Sequence, residues 1–130
     1  MTRPVTPRRR LGTAGEAHAR RHLEAAGYRF AASQWRGAGC EIDLVMWDAD
    51  ELVFVEVKTR RGEEHGRAAE SVTPRQVRAL VRAAQAFVAE LEERGEAETV
   101  WRVDLVALTL DPSGLVADLT HVENAFVIDE

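Results

Sequence analysis

Two stretches of the chain carry apolar residues at helical spacing, and shorter runs between and after them carry apolar residues in strand-like clusters. Val77, Leu80, Val81, Ala84, Phe87, Val88 and Leu91 recur every three or four positions, which puts them on one helix face turned toward a core. Thr73-Pro74-Arg75-Gln76 supplies the start of that helix: Thr as N-cap, Pro at the first helical position and Gln to complete a capping box. Gly95 marks its end. A thinner stripe of Ala19, Leu23 and Ala26 predicts an earlier helix, opened by Thr13-Ala14-Gly15-Glu16 as a second capping box and closed by Gly27. Strands are predicted at residues 28–35, 40–47, 52–60, 100–110 and 115–121, with turns at Asp48-Ala49-Asp50-Glu51 and Asp111-Pro112-Ser113-Gly114. Arg36-Gly37-Ala38-Gly39 reads as a loop, and the polar stretch 62–71 as a mobile one. The resulting order, α-β-β-β-α-β-β, predicts an α/β protein with a mixed central sheet flanked by helices.

The turn at residues 48–51 fixes a register. If it holds an even number of residues, Asp43 faces Glu56 and Glu41 faces Lys58, with opposed Cβ atoms roughly 4.5–5.5 Å apart. Val45 opposite Phe54 and Trp47 opposite Leu52 share the face of Asp43. Cys40, Ile42, Leu44 and Met46 form the other face against Thr59, Val57, Val55 and Val53. Both faces are largely apolar, so this hairpin is expected at the centre of the sheet, covered on both sides.

Length and composition set the frame. The 130 residues suffice for one domain with a single core, read as a flexible basic tail at 1–12 and one domain at 13–130. The lone cysteine, Cys40, excludes an intramolecular disulfide and fits a reducing compartment. The basic N-terminus is followed by no apolar stretch of the signal-peptide kind, and no apolar run approaches the ~20 residues that span a bilayer. The expected location is therefore cytoplasmic, with no membrane partner. The net charge is −5 but unevenly spread: residues 1–82 hold 15 basic and 11 acidic side chains, residues 83–130 hold 2 and 11. A local field can attract phosphate while the whole chain stays acidic.

That basic half contains one chemical singularity. The chain has sixteen arginines and a single lysine, Lys58. Where Arg serves every generic positive charge, a retained Lys points to a task that needs a compact ammonium with three donors and an adjustable pKa. Glu56 lies two residues earlier on the same strand face and Asp43 lies in the preceding strand. Two carboxylates opposed on a largely apolar face repel, and a divalent cation removes the conflict, since Mg²⁺ is held by one or two carboxylates, waters and substrate phosphate. Ordinary ion pairing, Glu56 with Arg60 or Arg36 and Glu41 with Lys58, is the competing account. An Asp…Glu-x-Lys arrangement is the minimal apparatus of metal-dependent phosphodiester cleavage.

Four segments carry a family resemblance. They are Gly15-Glu16-x-x-Ala19-x-x-x-Leu23-x-x-x-Gly27-Tyr28; Trp35-x-x-x-x-x-Glu41-Ile42-Asp43-Leu44-Val45; Phe54-Val55-Glu56-Val57-Lys58-Thr59-Arg60; and Glu123-Asn124-Ala125-Phe126. Together they resemble the YraN-type family of small bacterial proteins, placed in the restriction-endonuclease-like, PD-(D/E)XK, superfamily. The chain departs from the family at Cys40 for Gly, Gln34 for Asn, Arg75 for Lys, and Arg102-Val103-Asp104 for Arg-Phe-Asp. The resemblance implies a restriction-endonuclease-like core and a metal-dependent nuclease. In that reading Asp43, Glu56 and Lys58 are catalytic. Asp43, Glu56 and the carbonyl of Val57 bind Mg²⁺ or Mn²⁺, with Glu16 as a third carboxylate or, alternatively, only a capping residue. Lys58 orients or helps to deprotonate the attacking water and stabilises charge on the phosphate. Arg75 and Gln76 meet phosphate at a helix N-terminus, and Arg36, Arg60, Arg61 and Arg78 extend the basic side that nucleic acid would approach.

The partner so implied is nucleic acid, with structured or branched DNA favoured over RNA. A nucleic-acid-binding accessory module that cleaves weakly or not at all stays open as the alternative, and the small size leaves room for a homodimer or a protein partner. His18 and His22 stand one helical turn apart, but no third zinc ligand is recognisable near them. Trp35, Trp47 and Trp101 are expected in the core or along the sheet, and Asp104 as a structural partner of Arg102. Ser-His-Asp, Walker and dinucleotide signatures do not occur.

Overall fold

The computed structural model describes residues 7–61, 72–96 and 98–126, so the predicted loop at 62–71 lies outside the described residues. In chain order the elements are α1 (Pro7–Ala25), β1 (Arg29–Gly37), β2 (Cys40–Asp48), β3 (Glu51–Arg61), α2 (Pro74–Glu93), β4 (Trp101–Leu110) and β5 (Val116–Val122). The protein is α/β, with one five-stranded sheet in the order β1-β2-β3-β4-β5. β3 and β4 run parallel while the other neighbours are antiparallel. A parallel pair needs a crossover, and α2 supplies it between β3 and β4.

The helices take opposite faces of the sheet. Ala19 and Leu23 of α1 are fully buried against Leu44, Met46, Val53, Val55, Val106 and Leu108. Ala83, Ala84 and Val88 of α2 pack against Ile42, Val45, Leu52, Phe54 and Val103 on the other side. Phe87 meets both Trp35 and Phe54 edge to face, so Trp35 packs half-buried against the α2-side core. Thr73 caps α2 as its sequence predicts, with Gln76 completing the capping box. Gly27 and Gly95 follow their helices at φ +98° and +92°, the left-handed geometry that favours glycine at these positions.

Two boundaries differ from their sequence signals. Arg36 and Gly37, expected in a loop, extend β1 by pairing with Glu41 and Cys40. Residues 7–12, expected in a flexible tail, belong to α1, and Thr13 lies inside the helix rather than capping it. Pro7 at the first helical position is the better start signal, since Pro has no N–H to leave unpaired there. Glu16 is thereby released from capping. No helix among the described residues is long and apolar enough to cross a membrane.

The β2–β3 hairpin closes through a two-residue turn, and its pairs Leu44↔Val55, Val45↔Phe54, Met46↔Val53, Trp47↔Leu52 and Asp48↔Glu51 follow the even-loop register. The opposite faces behave as expected from Leu44 to Trp47. Ile42 does not: it belongs with Val45 and Phe54 on the α2 side, although a regular strand would turn residues 42 and 44 to one face. The strand is therefore irregular around Asp43. Described pairing of β2 with β3 stops at Leu44↔Val55, whereas β3 continues along β4 as far as Arg61.

Candidate metal centre

The gap between β2 and β3 beyond Leu44 is where the candidate residues gather. Asp43 is drawn into it: the Val57 amide N–H donates to Asp43 Oδ2 at 2.8 Å, replacing a backbone ladder bond with a side-chain one. N–H and C=O of one strand residue leave the same strand edge, so the Val57 carbonyl is directed at the same gap. The Asp43–Glu56 and Glu41–Lys58 oppositions expected from register are therefore modified. Lys58 Nζ lies 3.3 Å from Glu56 Oε1 on its own strand, and Glu41 pairs with Arg36 at 3.2 Å across to β1. The splay that admits Asp43 is the physical reason.

Glu16 reaches the gap from α1. Gly15 is buried, and a Cβ added there would overlap the Thr59 hydroxyl on β3. Glycine inside a helix costs about 1 kcal/mol relative to alanine, and here it lets the helix close on β3 and carry the neighbouring Glu16 inward. Glu16, Glu41 and Asp43 each offer a carboxylate oxygen, and the three oxygens lie within 4.8 Å of one another. Glu41 was not among the ligands expected from sequence. Its place in Glu-Ile-Asp, two residues from Asp43, was the available signal. Glu56 lies outside that trio but interacts with it through charge.

The electrostatics are those of an under-compensated acidic cluster. Burial, with lesser contributions from Asp43 and Glu41, pushes the Glu16 carboxyl up from 4.5 to about 7, against the lowering effect of its hydrogen bond from Gln34. Glu56 is pushed from 4.5 to about 7 by burial and then by the Asp43 charge, against Lys58. Asp43 is likewise raised, by burial first, while the Val57 amide and Lys58 pull it down. Every ligand atom offered is a hard oxygen, the donor set that suits Mg²⁺ and Mn²⁺. The residues present thus fit a divalent cation held by Glu16, Glu41, Asp43, Glu56 and the Val57 carbonyl, in some subset.

The basic candidates sit on three elements. Arg36 is exposed on β1 but engaged with Glu41, Arg60 and Arg61 end β3, and Arg75 and Arg78 are exposed at the start of α2. The Gln76 side-chain oxygen accepts from the Thr73 amide at 2.8 Å, so that oxygen serves the helix cap. His18 lies near Gly114 O and Arg21, and the trio of Glu16, Glu41 and Asp43 is the potential metal cluster among the described residues.

A second charged cluster occupies the other end of the sheet. Arg102 contacts Asp48 at 3.2 Å, Asp104 at 3.0 Å, Glu51, and the Tyr28 hydroxyl at 2.8 Å. Asp104 is fully buried and also receives the Asn124 amide at 2.9 Å and faces His121 Nε2 at 2.7 Å. Asp104 is the structural partner of Arg102 that the sequence suggested. The Glu123-Asn124-Ala125-Phe126 motif is a latch onto β4: the Ala125 amide bonds Val103 O at 3.0 Å, and Phe126 joins the α2-side core.

Comparison with known proteins returns one family. The pattern of the Uncharacterised protein family UPF0102 matches residues 15–108. The chain is 42% identical over 119 residues to a UPF0102 protein of Pelotomaculum thermopropionicum, covering 92% of this chain and 97% of that one. It is 41% identical over 118 residues to one of Roseiflexus castenholzii, covering 91% and 94%. A UPF0102 protein of Xylella fastidiosa is 43% identical over 123 residues, covering 95% and 97%.

Proposed function

This chain belongs to the uncharacterised protein family UPF0102, and we propose that it is a nuclease dependent on Mg²⁺ or Mn²⁺ that hydrolyses phosphodiester bonds, with structured or branched DNA as its substrate class. The membership bears out the YraN-type resemblance carried by the four motifs. The observation that carries the functional proposal is the concentration of Glu16, Glu41 and Asp43 within 4.8 Å, next to the Glu56–Lys58 pair. Acidic groups crowded in this way need a positive charge that the neighbouring side chains supply only in part.

When bound, the cation polarises a phosphoryl oxygen and lowers the pKa of a bound water. The protein's own groups do the rest. Asp43, held by the Val57 amide, Glu56, and Glu16 from α1 fix the position of the centre. Lys58, whose side chain is 22% exposed, keeps a donor available for water while Glu56 restrains it. Its ammonium orients the attacking water and meets charge building on the phosphate. Arg60, Arg61, Arg75, Arg78 and Gln76 then contact the nucleic-acid backbone, leaving the acidic C-terminal half outside. The lone thiol of Cys40 suits a reducing, cytoplasmic setting.

One observation favours a second reading. The Glu16 carboxyl, within 4.8 Å of Asp43 and Glu41 oxygens, is pushed up to about 7 by burial first and then by those two charges, so a proton held in the cluster can relieve it without a metal. Such a protein would bind nucleic acid and leave it intact. A cleavage panel of branched, flapped, single-stranded and duplex substrates with Mg²⁺ and Mn²⁺ decides between them. Metal-dependent cleavage by wild type, lost in Asp43→Ala, is expected. Salt-dependent binding without cleavage anywhere on the panel supports the binding module instead.

A further inference from the structure

The middle of β1 holds a residue in a conformation strands avoid. Gln34 has φ +50°, in the left-handed region, with strand residues on either side of it. Left-handed geometry costs a non-glycine residue roughly 1–2 kcal/mol, and such strain persists where surrounding contacts over-determine it. The register shows what it interrupts. Ser33 pairs with Leu44 and Trp35 with Ile42, so Gln34 occupies the β1 position across from Asp43, where no regular pair forms. The turn sends Gln34 away from the α2-side core that Trp35 joins and toward α1, where its side-chain Nε2 donates to Glu16 Oε2 at 3.0 Å.

From these contacts we propose that Gln34 is a positioning residue: by holding Oε2 of Glu16 it sets how that carboxylate would be presented to a cation beside Asp43 and Glu41. The proposal rests on the metal-centre reading above. Its logic is that of an outer partner that orients a carboxylate ligand, since such partners typically change metal affinity 10–100-fold when removed. The local distortion serves both strands at once. It aims the Gln34 amide at α1 and frees Asp43 from a ladder pair so that Asp43 can turn into the gap.

The test is a double-mutant cycle read by calorimetric titration of the full chain with Mn²⁺, alongside thermal unfolding. Gln34→Gly deletes the amide while accepting the positive φ. The expected result is Mn²⁺ binding weakened by ~10-fold or more, with a melting temperature equal to or above wild type. In a Glu16→Gln background, adding Gln34→Gly should weaken Mn²⁺ no further, because the clamp has nothing left to orient. Equal weakening in both backgrounds, or none in either, would overturn the positioning role while leaving the metal centre standing. Failure of wild type to bind Mn²⁺ would overturn the metal-centre reading, and this role with it.

Discussion

The β2–β3 hairpin carries a group of acidic residues at each end, and the two groups are treated in opposite ways. At the turn end, Asp48, Glu51 and Glu123 surround Arg102 together with Asp104, which is fully buried. At the open end, Glu16, Glu41, Asp43 and Glu56 share Lys58 and the exposed Arg36. Asp104 is the more deeply buried, yet a guanidinium, a backbone amide and an imidazole meet it directly. Asp43 and Glu56 keep more solvent and are nevertheless pushed upward. Burial alone therefore does not describe how a carboxylate is held; the supply of donors around it matters as much.

The widest separation between the two ends is in folding stability. Asp104→Ala strips the buried partner from Arg102 and should cost about 3–5 kcal/mol, read by urea unfolding. A loss below ~1 kcal/mol would show that the network is not what holds the C-terminal latch. At the open end the largest effect should be on rate. Lys58→Arg keeps charge but replaces a compact ammonium with a broad plane that does not readily give up a proton. Single-turnover cleavage should fall at least ~10²-fold, with metal and nucleic-acid binding retained. Near-wild-type cleavage would mean that charge suffices there.

A smaller effect tests how Glu16 reaches the cluster. Gly15→Ala drives a methyl group into Thr59, and overpacking of this kind costs ~1–3 kcal/mol, partly offset by the better helix propensity of alanine. Mn²⁺ affinity should fall with it as α1 moves off β3. Unchanged affinity and stability would show that the close approach is dispensable.

The smallest effect is a slope. Glu16 and Glu56 bind their protons more tightly folded than unfolded, since their folded values stand near 7 against an ordinary 4.5. Metal-free stability should therefore be greatest near and below pH 4.5 as far as these two groups decide it, and fall as pH rises through 7. Glu16→Gln should flatten that fall and raise the metal-free melting temperature at pH 8 by ~3 °C, and Mn²⁺ should flatten it in wild type. A metal-free stability independent of pH between 5 and 8 would contradict the under-compensated cluster.

Much of this was legible in the sequence where local rules and tertiary packing agree. The α2 cap at Thr73, the hairpin register from Leu44 to Asp48, and the two apolar faces all follow from periodicity and turn chemistry. What escaped depended on departures from regularity. Ile42 changes sides because the strand distorts at Asp43, and the partner of that distortion, Gln34, carries no side-chain signal for left-handed geometry. The related family's Asn at that position would have been such a signal, since Asn tolerates φ > 0 far better. Glu41 was assigned to Lys58 by extrapolating a regular ladder past the point where it opens. Thr13 and Glu16 imitate a capping box, which hid the true start of α1 and left Glu16 divided between capping and the role of a third carboxylate.

The bond from the Val57 amide to Asp43 makes one backbone proton a reporter on the whole centre. That proton's chemical shift and its exchange with solvent depend on whether the carboxylate accepting it carries charge, a proton or a bound ion. A single cross-peak in an amide correlation spectrum should therefore move with pH and with added Mg²⁺, without any label placed on the site. The fold thus contains its own spectroscopic probe, wired to the acidic residue that the strand bends into the gap.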